Sequence, residues 1–167
     1  MIPIALVAVL TLASRAEVTP ESIGSLVQKR PAYRVVSDLF GDSQTWSAIE
    51  AGIASGDRRW LEVAAHLYAS CDAGICYALK MALGEALLTN PSGVLAVAGD
   101  GYSAGDACST YGYLTDSTDV SLPKALAAIR ARQEAVRAVK DRSLAARRQE
   151  CLTELRGLKA YAPKAFK

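Results

Sequence analysis

Few side chains in this sequence are of a type and spacing that could carry catalysis. His66 is its single histidine. On a helix containing Trp60, Ala64 and Leu67 it falls roughly 140° from the centre of the apolar face, at about 100° per residue. Its neighbours there are Arg58, Arg59 and Glu62, the setting of a solvated residue and not of a general base. No Gly-x-Ser-x-Gly, His-Glu-x-x-His, P-loop or Gly-x-Gly-x-x-Gly pattern occurs, so the common nucleophile, zinc and phosphate machineries are without support. Paired carboxylates need no histidine and would suit glycoside hydrolysis. Glu50, Glu62 and Glu85 are the candidate acids, and only Glu85 interrupts a strongly apolar helix that would withdraw it from water.

Cys71, Cys76, Cys108 and Cys151 carry the other recognisable chemistry. As zinc ligands beside His66, Cys71 and Cys76 lack the usual two-residue spacing and a sound fourth ligand, and no metal or cofactor is expected. In an oxidising compartment an even number of cysteines argues for disulfides, with three connectivities open. One has a local geometric argument. If Asp72 caps the following helix, Cys71 is N′ and Cys76 is N4, the two positions that meet in a hydrophobic staple. Pairing them leaves Cys108 with Cys151, which closes a loop of about 44 residues and on the chain-entropy model stabilises by roughly 4 kcal/mol, against roughly 2 for the short bridge.

The element that positions these groups runs from Trp60 to Pro91 and reads as two helices joined at Cys71-Asp72. From Ala73 to Asn90 the ionised residues are Lys80 and Glu85, while Ile75, Cys76, Leu79, Ala82, Leu83, Ala86 and Leu87 share one stripe. A helix that apolar belongs in the centre of a bundle. Around it the chain is punctuated by helix starts and stops: Thr19-Pro20-Glu21, Pro31, Gly41-Asp42-Ser43, Ser55-Gly56-Asp57 and Asn90-Pro91. The expected fold is therefore all-α, a compact bundle of short antiparallel helical hairpins with two disulfides. The phrase from Ile53 to Leu67 resembles a HEAT-type repeat, but no second copy stands at a fixed period, so solenoid and bundle both remain open.

Composition agrees with one core: 167 residues, 51% apolar and 22% charged. Ile2 to Leu12 is nearly all apolar and is followed by Ala13-Ser14-Arg15-Ala16, a small-residue pattern that a signal peptidase could cut before Glu17. Residues 1–16 are thus expected to be a signal peptide, although no Lys or Arg precedes the apolar run, and 17–167 a single all-α domain. About a dozen apolar residues fall short of the roughly 20 that span a bilayer, so the mature chain is expected to have no transmembrane span and to be periplasmic or extracellular.

Its near-neutral total hides a division of charge. From Glu17 to Pro123 there are six Lys and Arg against thirteen Asp and Glu; from Lys124 to Lys167 there are twelve against four, a net −7 and a net +8. The basic segment, 123–161, reads as a long helix or helix pair with one apolar stripe of Leu126, Ile129, Val136 and Val139 and a second of Leu144, Cys151, Leu155 and Leu158. A bend near Asp141-Arg142-Ser143, with Ser143 capping the second piece, accounts for the phase shift. Ala162 to Lys167 is expected to fray. The preferred account of its Arg130, Arg137, Arg147 and Arg148 is that the segment packs on the acidic body with opposite charges matched across the seam. The alternative is an anionic partner such as phospholipid, envelope polysaccharide or an acidic protein; nucleic acid is not expected, since no aromatic interleaves the arginines. Residues 99–122 read as an irregular loop, and its Tyr102, Tyr111 and Tyr113 are amphipathic groups of the kind interfaces use. The expected function is non-catalytic binding of a protein or anionic partner in the bacterial envelope. An inhibitor or immunity-type protein against an envelope-directed enzyme, and a carboxylate-dependent glycoside hydrolase, are the alternatives.

Overall fold

Most helices of this protein begin where the sequence supplies a side-chain oxygen for the free N–H groups of the first turn. The computed structural model describes residues 18–99, 101–109 and 121–166; the proposed signal peptide, Tyr111 and Tyr113 lie outside them. Helix α1 (Pro20–Lys29) opens with a capping box in which Thr19 and Ser22 each accept the other's backbone N–H, at 3.1 and 3.0 Å. Pro31 opens α2 (Ala32–Gly41), Asp42 caps α3 (Ser43–Ala54) and Asp57 caps α4 (Arg58–Tyr68). Asp72 accepts from Ile75 N at 3.1 Å to start α5 (Ala73–Thr89), and Asn90 ends α5 and caps α6 (Pro91–Val97). Two more long helices close the chain, α8 (Leu122–Ala138) and α9 (Ala145–Ala165), joined through a single 3₁₀ turn at Arg142–Leu144.

Between α6 and α8 lies a short helix, α7 (Ala104–Cys108); consecutive helices pack on one another from α1 to α7, and α8 pairs with α9, so the helical hairpins expected of the sequence are present. The phrase from Ile53 to Leu67 corresponds to the packed α3–α4 pair. Helix α5 lies in the middle, against α3, α4, α6, α7 and α8. Its Leu79, Leu83, Ala86 and Leu87 are fully buried and belong to a hydrophobic cluster that reaches from Ile23 in α1 to Ala162 in α9. Both disulfides have the expected partners, Cys71 with Cys76 across the start of α5 and Cys108 with Cys151 between the end of the next short helix and α9. Among the described residues no helix is long and apolar enough to cross a membrane.

Three sequence expectations are corrected. Within the stretch read as irregular, Ala104–Cys108 forms a helix, α7, because Ser103 and Asp106 make a reciprocal capping box and small Ala104, Gly105 and Ala107 allow close packing. The bend between α8 and α9 is where the phase shift put it, but Asp141 and not Ser143 is the cap, accepting from Ser143 N at 2.8 Å. The C-terminal residues do not fray at Ala162: α9 runs through Pro163 to Ala165, with Ala162 buried and Phe166 packed on the core. Burial of Ala162 and the packing of Phe166 outweigh the backbone hydrogen bond Pro163 cannot donate.

Close backbone approach fixes where α7 can sit. A Cβ on Gly101 would lie 2.1 Å from the carbonyl oxygen of Ala65, in α4, a separation no rotamer change relieves. A Cβ on Gly74, at the start of α5, meets nothing nearer than Asp72 Oδ1 at 3.8 Å. Gly101→Ala is therefore expected to lower the unfolding free energy by about 3 kcal/mol, and Gly74→Ala to leave it equal or slightly raised, both read from urea denaturation.

Candidate functional site

Both charges of α5 are used to hold the later part of the chain. Glu85 Oε1 accepts from Arg132 Nη2 of α8 at 3.0 Å, and the same guanidinium donates through Nε to Gly84 O at 2.9 Å and through Nη1 to Ala128 O at 3.1 Å. Arg132 is 3% exposed, so its charge is kept inside the protein by three acceptors arranged around the planar group. It stands three residues after Ile129 and four before Val136, on the apolar stripe of α8. The helical period alone places it inward, although its type suggests the basic face.

Lys80 points to the other side of α5 and pairs with Asp106 of α7, Nζ to Oδ1 at 2.8 Å. Ser103 Oγ donates to the second carboxylate oxygen at 2.8 Å, and the Tyr68 hydroxyl is hydrogen-bonded to Lys80. Burial pushes Asp106 up, but hydrogen bonds from Lys80 and Ser103 together outweigh it and hold the carboxyl below its ordinary value. Burial likewise pushes Lys80 down, and Asp106 and Tyr68 return it above the usual lysine range. Burial is the main reason Tyr68 is raised. These directions describe a charged pair that stabilises the fold, not a lysine primed to act as a base.

The tyrosine and arginine expected to meet a partner separate into two groups. Tyr102 is 4% exposed, its hydroxyl donates to Val94 O at 3.3 Å and its ring meets Tyr68 edge-on at 5.5 Å. It is a core residue, because the capped α7 draws the chain beside it inward. Arg147 donates to Leu95 O and Ala96 O at 3.1 and 2.8 Å, satisfying carbonyls at the end of α6, and Arg148 does the same for Val139 O at the end of α8. Arg130 and Arg137 remain on the surface, seven residues and two turns apart on one face of α8. Lys140 and Arg142 at the turn, and Lys159 and Lys164 on α9, are exposed as well. None of these six cations makes an ion pair with a described residue. The matching of charge across the seam is thus slight: Arg132 with Glu85 is the ion pair that joins this hairpin to the acidic body among the described residues.

A shallow groove of about 290 Å³ lies between α3 and α5, lined by Glu50, Ala51, Ala54, Met81, Ala82 and Glu85. Two of the three candidate acids therefore share one depression, while Glu62 is on α4, paired with Arg58 at 3.0 Å. On the same stripe of α5 as Met81, Tyr77 and Leu88 reach solvent at 39% and 43% exposure. His66 is exposed at the edge of a hollow between α1 and α4 with Arg59 and Glu62, as its helical position implies. Cys71 and Cys76 are joined to each other and offer no thiolate to a metal. Compared with protein-family models, with curated proteins and with solved structures, the chain matches none.

The depressed carboxyl of Asp106 sets a direction for acid unfolding. A group lower in the folded than in the unfolded state stabilises above its unfolded value, about pH 4 for Asp, and that contribution disappears as pH falls through the folded value. In Asp106→Asn the loss of stability below about pH 4 is expected to be shallower than in the parent chain, with lower stability at pH 7, as measured by denaturant midpoints across the pH range.

Proposed function

We propose that this is a non-catalytic protein that binds an anionic partner in the bacterial envelope or outside the cell, using the outer face of the α8–α9 hairpin. What supports this reading above all is the set of six exposed cations, Arg130, Arg137, Lys140, Arg142, Lys159 and Lys164, that no described residue neutralises. A surplus of one sign on one helical pair raises the local concentration of anions and steers their encounter. The arginines with internal tasks are those that hold the hairpin in place: Arg132 in the core, Arg147 and Arg148 at helix ends. The scaffold consequently presents the remaining charges at fixed positions. Two disulfides fit a non-reducing compartment, and the apolar N-terminal run supports export as its route. An inhibitor or immunity-type role belongs to the same class, with the acidic face of an envelope-directed enzyme as the partner.

One observation favours a second reading. Glu50 and Glu85 share the α3–α5 groove, as a glycoside hydrolase would require. The groove counts against it in two ways: Ala51, Ala54, Met81 and Ala82 offer no side-chain hydrogen bonds to sugar hydroxyls, and Glu85 is committed to Arg132.

Reversing Arg130, Arg137 and Lys159 to Glu tests the proposal. A lysine or arginine near an anionic surface contributes about 1 kcal/mol, so the triple variant is expected to lose at least about tenfold in binding to anionic vesicles or to an acidic envelope partner, with unchanged circular dichroism. Binding by the parent chain is expected to weaken from low to high salt. Retention of full affinity by the triple variant, at either salt concentration, contradicts the proposed surface.

A further inference from the structure

The two disulfides occupy opposite environments. Cys108 and Cys151 are both fully buried, under α7 and α9. Cys71 and Cys76 are both partly exposed, at the corner where α4 gives way to α5. Asp72, Ala73 and Gly74 between them face solvent, and the space above Gly74 is open, its nearest neighbour being an Asp72 oxygen at 3.8 Å. Ile75, the one large residue between the two cysteines, is buried and turned to the core, so the exposed side of the ring carries only Asp72, Ala73 and Gly74. Cys71 also stands immediately before α5, whose positive dipole end favours a thiolate as leaving group.

Opening this bond leaves the corner otherwise held. Asp72 still caps α5 through Ile75 N, Ile75 remains buried, and Tyr68 at the end of α4 keeps its hydrogen bond to Lys80 and its edge contact with Tyr102. We infer that Cys71–Cys76 is a thiol–disulfide exchange site for a dithiol, one that opens and closes in the folded protein while Cys108–Cys151 stays intact. One thiolate of the dithiol attacks Cys76 Sγ, forming a mixed disulfide as the Cys71–Cys76 bond breaks and Cys71 leaves as a thiolate. The second thiolate then attacks the dithiol's own sulfur in the mixed disulfide and releases Cys76. The dithiol ends as a disulfide, the protein as two thiols, and the two protons lost by the dithiol are recovered by Cys71 and Cys76.

The exchange is read by treating the native protein with dithiothreitol, trapping free thiols by alkylation at intervals and locating them by peptide mass. Cys71 and Cys76 are expected to be trapped at least about tenfold faster than Cys108 and Cys151, with circular dichroism unchanged. The double variant Cys71→Ser with Cys76→Ser is expected to fold, standing for the opened state. Trapping of all four cysteines at one rate, loss of the folded signal together with the first bond, or an unfolded double variant would each overturn the inference.

Discussion

A helix of seventeen residues with two ionised side chains cannot lie on a surface by one face alone; it has to be covered on more than one side, and α5 packs against five other helices, leaving one stripe with Tyr77 and Leu88 to solvent. Burial of leucine-sized side chains contributes roughly 2 kcal/mol each, so Leu79, Leu83 and Leu87 alone make its coverage a dominant favourable term. Non-directional burial does not say which neighbour goes where. That information comes from the polar exceptions: Lys80 takes Asp106 and so places α7, Glu85 takes Arg132 and so places α8. Charge on an apolar helix costs desolvation, and here the cost fixes register.

From those two ties the later chain follows. Helix α7 is short, but Cys108 joins it to α9, and Gly105 N donates to Glu150 of that helix at 2.9 Å. Arg147 reaches back to the end of α6, so the α8–α9 pair is anchored to the body at α5, α6 and α7. Its inner side is apolar and hydrogen-bonded; its outer side keeps cations that the body does not meet. Structure and proposed function divide between the two sides of one hairpin.

Caps and stripes were the most legible part of the fold. Thr19, Asp42, Asp57, Asp72 and Asn90 each start the helix their type and place imply, and the staple positions around Asp72 identify the Cys71–Cys76 bond. Local chemistry of that kind acts over three or four residues and is readable as it stands. Helix α7 was hidden because five small residues show no periodicity, although Ser103 and Asp106 have capping-box spacing. The Gly- and Ser-rich setting of Tyr102 resembles a loop, whereas its burial depends on Val94 of the preceding helix and on Tyr68 of α4, 34 residues away. For the arginines, net charge does not distinguish Arg132 from Arg130, although Arg132 alone finds acceptors at Gly84, Glu85 and Ala128. Helical phase already separated them, and it was the better guide than charge.

Native-state hydrogen exchange tests the central place of α5 most directly. Amides from Leu79 to Leu87 are expected to be the slowest in the protein, to exchange only through global unfolding, and to show a denaturant dependence equal to that of the whole chain. Amides of the α8–α9 hairpin would then open at equal or lower free energy. Slower exchange in α8 and α9 than in α5, with α5 opening through a smaller local transition, would contradict the account, since the hairpin would then be the folding core and α5 one of the helices laid upon it.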